Sequence, residues 1–241
     1  MKQIWIIARR ELKSFFDSLL AYILMVIFLA ATGLFTWLYG HDVFFYKQAS
    51  LQSFFSVAYW SFFLLMPALT MRLIAEEKSS GTLEMVLTKA VSDWQVVVGK
   101  FLSVFLLICI TLALTLPYYI TVASIGPIDH GAVLTGYLGL ILMSSAYISI
   151  GVFASSLTHN QIVAFLIAFF IGIFFHLIVG FIATNFSGTI GGVLNFLSTT
   201  SHYESMSRGV IDSKDVIFFL SLIFMGLFGS EMVLARRNVA D

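Results

Sequence analysis

The stretch RLIAEEKSSGTLEMVLTKAVSDWQ, residues 72–95, decides how the rest of the chain is interpreted. It holds 7 charged side chains in 24 residues, whereas no Asp, Glu, Lys or Arg occurs in the 73 residues from Gly131 to Tyr203. The whole chain of 241 residues is 59% hydrophobic and 11% charged, and soluble domains carry about 25% charged residues. This composition indicates an integral membrane protein. The net charge of zero provides no basic surface for nucleic acid.

Six apolar segments surround the charged stretch. Each approaches the roughly 20 residues that a helix needs to cross a bilayer. They are Ala21–Tyr39, Phe54–Leu73, Val97–Ile120, Val133–Ser155, Ile162–Ala183 and Val216–Ala235. Pro117 predicts a kink near the end of the third. The fold class is therefore predicted to be an all-α integral membrane protein with six transmembrane helices.

The distribution of Lys and Arg predicts the orientation of these helices, because basic residues concentrate on the cytoplasmic side. With the N-terminus inside, ten basic residues lie on the inner side and three on the outer side. The inner ten are Lys2, Arg9, Arg10, Lys13, Arg72, Lys78, Lys89, Lys100, Arg236 and Arg237; the outer three are Lys47, Arg208 and Lys214. Both termini and the charged stretch are thus predicted to be cytoplasmic.

Two further segments are predicted to be helical without spanning. Residues 1–19 place apolar side chains at helical spacing, which is typical of an amphipathic interfacial helix. These side chains are Trp5, Ala8, Leu12, Phe15, Phe16 and Leu19. Residues 184–215 contain the Gly-rich run 187–192 and the short apolar run Val193–Leu197. They predict a re-entrant half-helix in the outer leaflet, packed against protein because exposed irregular backbone is costly there.

The charged stretch has its own predicted local structure. The second crossing continues as helix through Arg72–Lys78, and Ser79–Gly81 ends it because Ser and Gly favour turns. A short helix follows from Thr82. Ser92 and Gln95 then form a capping box at the start of the third crossing.

Two interpretations of the segment 74–95 remain open. It is either a solvated loop with ordinary cytoplasmic charges or an element that docks to a cytoplasmic partner. Its four acidic residues favour docking, since a loop that only sets topology needs basic residues alone. The chain has no G-x-x-x-x-G-K-[ST] or H-E-x-x-H motif, and only Glu231 approaches bilayer depth, so no enzyme or metal site is predicted. Any energy source must therefore lie in a partner.

Residues 72–89, R-x-x-A-E-E-K-x-x-G-T-x-E-x-x-L-T-K, resemble the signature loop of ABC-2 type transporter permeases. The segment Ser155–Phe165 and the polar residues between 197 and 215 resemble the same family. Arg10–Phe16 and residues 93–101 are most similar to the gliding-motility-associated permeases (GldF) of Bacteroidota. The resemblance covers essentially the whole chain.

The resemblance implies a single ABC-2 type transmembrane domain over 1–241, with a cytoplasmic coupling helix at 74–95. It implies a bacterial inner (cytoplasmic) membrane location and two partners. These are a GldA-like ABC ATP-binding subunit, which holds ATP and Mg, and a GldG-like second membrane subunit or a second copy of the chain. The chain itself would hold no cofactor. Its expected function is to convert ATP-driven motion into substrate export or extracytoplasmic work linked to gliding motility. The alternatives are a mechanotransmission subunit that moves no cargo and a permease like those of nitrous-oxide-reductase maturation.

Three sets of candidate site residues follow. The ATPase-coupling set is Arg72, Glu76, Glu77, Lys78, Gly81, Thr82, Glu84 and Lys89. The second cytoplasmic contact is Thr158, Asn160 and Gln161, for which a plain hairpin cap is an equal alternative. The outer gate or partner-docking set is His202, Glu204, Arg208, Asp212 and Asp215. For this last set, a structural network that supports the re-entrant backbone is the alternative.

Overall fold

The structure is a computed structural model that describes residues 2–39, 49–82, 91–186 and 188–237. Helices α1 to α4 are Lys2–Asp17, Leu19–Gly33, Gln52–Thr70 and Ala75–Ser79. Helices α5 to α8 are Asp93–Ala113, Leu116–Ile125, His130–Leu157 and Gln161–Ile173. Helices α9 to α12 are Val179–Asn185, Gly188–Leu197, Thr199–Ser207 and Ser213–Arg237. Single π-helical turns extend α2 over Leu34–Leu38 and join α8 to α9 over Phe174–Ile178.

Six spans in the described residues are long and apolar enough to cross a membrane. They are Leu19–Leu38, Gln52–Ser79, Asp93–Ile125, His130–Leu157, Gln161–Asn185 and Ser213–Arg236. The last five each contain one predicted crossing, and the first ends one residue before the predicted crossing Ala21–Tyr39 does. The described part of the chain has no strand. The predicted all-α, six-span fold class is therefore confirmed.

The fourth span, α7, is the centre of the bundle. Its most apolar window is 78% buried inside the protein, against 28% for the first, fifth and sixth spans. Close approach to α7 depends on glycine: a Cβ at Gly151 would lie 1.9 Å from Thr70 Oγ1, and one at Gly226 would lie 2.7 Å from the backbone of Ser149. The three weakly buried spans keep wide apolar faces for lipid or for another membrane chain.

Helix α1 packs against the start of α5. A Cβ at Gly99 would lie 2.8 Å from Ile7 Cβ, so the two helices touch at a glycine. Of the apolar side chains predicted to share one side of this helix, Phe15 is buried against protein and Trp5 is 54% exposed. Ser18 has extended backbone (φ −95°, ψ 152°) and separates α1 from α2. The predicted helix 1–19 therefore ends at Asp17.

Two predicted local features are confirmed. Helix α5 ends at Ala113, and α6 begins at Leu116 with Pro117 in its first turn, where a missing N–H costs no hydrogen bond. The capping box is present, since Gln95 N donates to Ser92 Oγ and Ser92 N donates to Gln95 Oε1, both at 3.3 Å.

One predicted feature is confirmed only in part. The second span does extend past Lys78, to Ser79, but it is interrupted: α3 ends at Thr70, residues 71–74 form a turn, and α4 begins at Ala75. The physical reason is a hydrogen-bonded contact with α7, described below. The short helix predicted from Thr82 falls on residues 83–90, which lie outside the described residues.

The segment before the last span folds into two short helices. Helix α10 packs back against α9, and α11 follows after Ser198. Gly188 begins α10 with φ +74°, and Gly209 follows α11 with φ +95°, a backbone conformation that glycine adopts without steric cost. Helix α10 occupies the predicted half-helix; its depth in a membrane stays a prediction.

Candidate functional site

Four charged side chains meet where α1, α4 and α5 converge, and we call them the ion cluster: Arg10, Glu11, Glu77 and Lys100. Lys100 Nζ lies 2.9 Å from Glu77 Oε1 and 3.6 Å from Glu11 Oε1. Arg10 Nη2 lies 2.6 Å from Glu11 Oε1 and 3.5 Å from Glu77 Oε1. The Lys100 side chain is only 1% exposed. We call this end of the bundle the charged end.

The ion cluster is electrostatically balanced. A buried ammonium is costly unless it is paired, and Lys100 has two carboxylates within reach. Burial alone would raise the pKa of Glu11, but the charge of Lys100 and the hydrogen bond from Arg10 outweigh burial and lower this pKa. The cluster thus ties three helices together with two positive and two negative charges.

A second contact fixes α4 to the end of α7. Ser155 Oγ accepts hydrogen bonds from the backbone N–H groups of Ile74 and Ala75, each at 3.0 Å, and donates to the carbonyl of Met71 at 3.0 Å. Lys78 Nζ donates to the backbone carbonyl of Ser156. These bonds satisfy the polar backbone of the turn at 71–74, which explains why the chain breaks there.

Three residues of the predicted ATPase-coupling set contact their own chain. The Arg72 guanidinium lies 4.9 Å above the centre of the Phe15 ring. Glu77 belongs to the ion cluster, and Lys78 contacts α7. The sequence predicted that all three contact a partner, and the structure shows that each of them contacts its own chain, Glu77 and Lys78 from within α4. A contact of these residues with an ATPase stays a prediction.

The other described members of this set are exposed. Glu76, Gly81 and Thr82 are accessible at the charged end. Gly81 has φ +69°, which confirms the predicted turn. A polar cavity of about 360 Å³ between α1 and α4 is bordered by Glu76 and Thr82 on one side. Glu84 and Lys89, the remaining two members, lie outside the described residues.

The second cytoplasmic contact is an exposed hairpin turn between α7 and α8. Asn160 Oδ1 accepts from the backbone N–H of Ile162 at 2.9 Å and of Val163 at 3.4 Å. Thr158 Oγ1 accepts from Asn160 N at 3.1 Å, and Gln161 begins α8. This geometry is that of a helix cap. A contact with a partner stays a prediction.

The third set lies at the opposite end of the bundle, where His202 and Asp215 form a buried pair. His202 Nδ1 lies 2.7 Å from Asp215 Oδ1, and Nε2 lies 2.7 Å from the carbonyl oxygen of Phe196. Both ring nitrogens of His202 are thus within hydrogen-bond distance of an oxygen atom. The pair links α10, α11 and α12, as the structural alternative expects.

The remaining members of this set are exposed. Glu204 and Arg208 are 3.5 Å apart, and Asp212 is 3.0 Å from Lys214. The hydrogen bond from Lys214 lowers the pKa of Asp212. His202, Glu204, Arg208 and Asp215 line one cavity of about 480 Å³, whereas Asp212 is not among the residues that line it.

The chain with this geometry matches a known protein family. A profile of the family described as ABC-2 family transporter protein matches residues 39–235, well over half of the chain. The chain belongs to the ABC-2 transporter family. A search of curated proteins finds no match. ABC-2 permeases are membrane transport components that are not themselves catalytic and that work with an ATP-binding subunit. The permease is therefore a multi-pass membrane subunit of an ABC transporter.

Sequence reasoning missed two residues that organise the charged end of the permease. Lys100 is the one charged residue between Asp93 and Asp129, and such an isolated cation in an apolar helix indicates a buried partner. Ser155 carries no comparable signal, because serine is common in membrane helices and its bonding partners lie about 80 residues away in the chain.

Proposed function

We propose that the permease converts the motion of an ATP-binding subunit, docked at the charged end, into rearrangement of its spans for substrate export. The main support for this proposal is the position of α4 and the turn that follows it, residues 75–82, which we call the joint. Its outer surface presents exposed Glu76, Gly81 and Thr82, and its inner side is bonded to α5 through Glu77 and to α7 through Ser155.

This arrangement transmits force because α4 is short and is bonded to two other helices. A push on the exposed surface reaches α5 through the pair Glu77–Lys100 and reaches α7 through the bonds of Ser155. Since α7 is the central helix, its tilt changes the contacts of most other spans. Rigid-body movement of packed helices is an ordinary route for such a transition.

The proposed orientation places both termini and the charged end in the cytoplasm of a bacterial inner membrane. The excess of basic residues on that side supports it. The proposed partners are a GldA-like ATPase, which binds ATP and Mg, and a GldG-like membrane subunit or a second copy. Their support is the resemblance of residues 10–16 and 93–101, and the weakly buried spans leave room for a second membrane chain.

The test is affinity purification of the tagged permease from native membranes, followed by mass spectrometry and an ATPase assay. We expect the wild type to retain a P-loop ATPase and a second membrane subunit. Glu76→Lys should reach the membrane normally but lose the ATPase, because the substitution reverses an exposed charge at the joint. Glu204→Lys is the matched control, with the same change at the opposite end. Recovery of the permease alone, without ATPase activity, would overturn the proposal.

A mechanotransmission role without cargo is the second candidate. The exposed ion pairs Glu204–Arg208 and Asp212–Lys214 offer polar contacts to an extracytoplasmic partner. Cysteine crosslinking from position 208 distinguishes the two functions. A crosslink that forms with the same partner with and without ATP favours transmission, whereas ATP-dependent exposure of the position favours export.

A further inference from the structure

A cavity of about 480 Å³ opens between α3, α9 and α11, at the end of the bundle opposite to the charged end. This volume lies within the range of small-molecule sites, which is about 300–1,000 Å³. It is distinct from the cavity beside the His202–Asp215 pair, although Asn195, Ser201 and Glu204 border both.

One wall of this cavity is aromatic. The His176 ring lies between Tyr59 and Phe63, with centroids 4.2 Å away on each side and interplanar angles of 20° and 16°. Trp60 stands edge-on to His176 at 4.9 Å and is 45% exposed. An exposed indole face beside a cavity can stack against an apolar ring face.

The same wall contains polar atoms without partners. His176 Nδ1 is hydrogen-bonded to Tyr147 OH at 2.7 Å, but His176 Nε2 is buried and has no partner among the described residues. Ser198 also lines the cavity, and its Oγ is likewise buried without a hydrogen-bond partner among the described residues. A buried polar atom without a hydrogen bond destabilises the folded state, and native proteins keep few such atoms without a ligand, water or functional reason.

The surrounding polar groups are neutral and held in place. Thr200 Oγ1 donates to the carbonyl of His176 at 2.7 Å, so Tyr59 OH donates to Thr200 Oγ1, also at 2.7 Å. Ser201 Oγ donates to Asn195 Oδ1, which leaves the amide nitrogen of Asn195 able to donate outward. These groups match the hydroxyls of a ligand in both donor and acceptor roles.

The charge of the cavity restricts the ligand further. Glu204 is the one carboxylate that lines it among the described residues, and no Lys or Arg of the described residues does. The Glu204 side chain is 59% exposed and faces Arg208, so it is screened by water and by a cation. An uncharged ligand fits this environment better than an anion or a cation.

We propose that this cavity binds the uncharged, hydroxyl-rich head group of an amphipathic molecule, such as a sugar ring on an alkyl chain. The ring stacks on the exposed face of Trp60. Its hydroxyl groups bond to His176 Nε2 and Ser198 Oγ, the unpartnered atoms of two residues that line the cavity, once small side-chain movements uncover these atoms. The inference deepens the export branch of the proposed function, because it names the chemical class of the substrate.

The test uses the full chain in phosphatidylcholine nanodiscs, with Trp5, Trp37 and Trp94 replaced by Phe so that fluorescence reports Trp60 alone. The probe is octyl glucoside below its micelle concentration, with octanol and octyltrimethylammonium as matched-chain controls. We expect a saturable change with the glucoside and at least about tenfold weaker binding of both controls, a difference of about two lost hydrogen bonds.

Two variants test the polar atoms directly. His176→Phe keeps a flat ring in the stack but removes Nε2, and Ser198→Ala removes Oγ. Each should weaken glucoside binding about fivefold, the value of one hydrogen bond, while octanol binding stays unchanged. Ser198→Ala is a small change that tests the site even if His176→Phe fails to fold in size-exclusion chromatography.

Three results would overturn the proposal. Equal binding of the glucoside and octanol would mean that the cavity recognises the alkyl chain and not the hydroxyl groups. Tighter binding of the ammonium probe would mean that the cavity is a cation site. Wild-type affinity for the glucoside in both variants would mean that His176 Nε2 and Ser198 Oγ do not bind the ligand. Since binding is measured without an ATPase, its failure is distinguishable from failure to recover the ATP-binding subunit, which tests the proposed function.

Discussion

Replacement of Lys100 by Met should destabilise the permease strongly, although Met fits the same apolar helix. The substitution leaves Glu77 and Glu11 without their buried cation. At an effective dielectric constant of about 20, ion pairs at 2.9 Å and 3.6 Å correspond to about 6 and about 5 kcal/mol of attraction. Most of this attraction offsets the cost of burying the ammonium, which is several kcal/mol.

The net loss is expected at about 3 kcal/mol, the lower part of the range for breaking a buried pair. It lies there because Arg10 still compensates Glu11, and because the two carboxylate side chains keep 16% and 17% exposure. For a chain of this size, about 2–4 °C of melting temperature corresponds to each kcal/mol. The expected decrease is therefore about 6–12 °C.

The assay is thermal unfolding of the purified permease in one detergent, followed by size-exclusion chromatography. Lys13→Met is the matched control, since Lys13 is an exposed residue of α1, and it should change the melting temperature little. The double variant Lys100→Met, Glu77→Gln removes both charges, so it should recover at least about 1 kcal/mol relative to additivity. A decrease below about 2 °C for Lys100→Met, or strict additivity, would refute the structural role of the ion cluster.

Three further predictions concern the joint, the helix packing and pH. Ser155→Ala leaves two buried N–H groups unbonded and should cost about 2 kcal/mol, measured as a lower melting temperature; an unchanged value would contradict the assigned bonds. Gly151→Ala should cost about 2 kcal/mol or more by clash with Thr70. Gly192→Ala is the control, because its new Cβ meets nothing within 4 Å, and it should leave the melting temperature unchanged. Equal effects of the two substitutions would count against the assigned packing of α7. Because the pKa of Glu11 is lowered from 4.5 in the folded state, its stabilisation is present above pH 4.5 and is lost as the pH falls through the lower folded pKa. The difference in melting temperature between wild type and Glu11→Gln should therefore shrink as the pH falls below 4.5, and a difference that stays constant would exclude this linkage.

Local signals in the sequence predicted the features that depend on neighbouring residues. The six spans follow from hydropathy, because a backbone in lipid must satisfy its own hydrogen bonds within each helix. The capping box at Ser92 and the break at Pro117 also follow from residues a few positions apart. The break at 71–74 was not predicted, because its cause lies in another helix.

The candidate site was predictable only in part, for the same reason. The sequence indicates where charges concentrate, but charge alone does not show which side chains face a partner and which face their own chain. Glu76 and Glu77 are adjacent, yet Glu76 is exposed and Glu77 is bound to Lys100. The direction in which α4 leaves the bundle makes this difference, and that direction depends on bonds to Ser155.

By itself the sequence determined the membrane class, the six spans and the position of the charged stretch, since each depends on composition over one helix length. Only the tertiary structure decided that Lys100 is buried between two acids, that Ser155 fixes α4, and that His176 lies in an aromatic stack beside a cavity. These contacts join residues between 23 and 117 positions apart, such as Glu77 with Lys100 and Tyr59 with His176. Helix packing brings such residues together, and no pattern within a single helix encodes it.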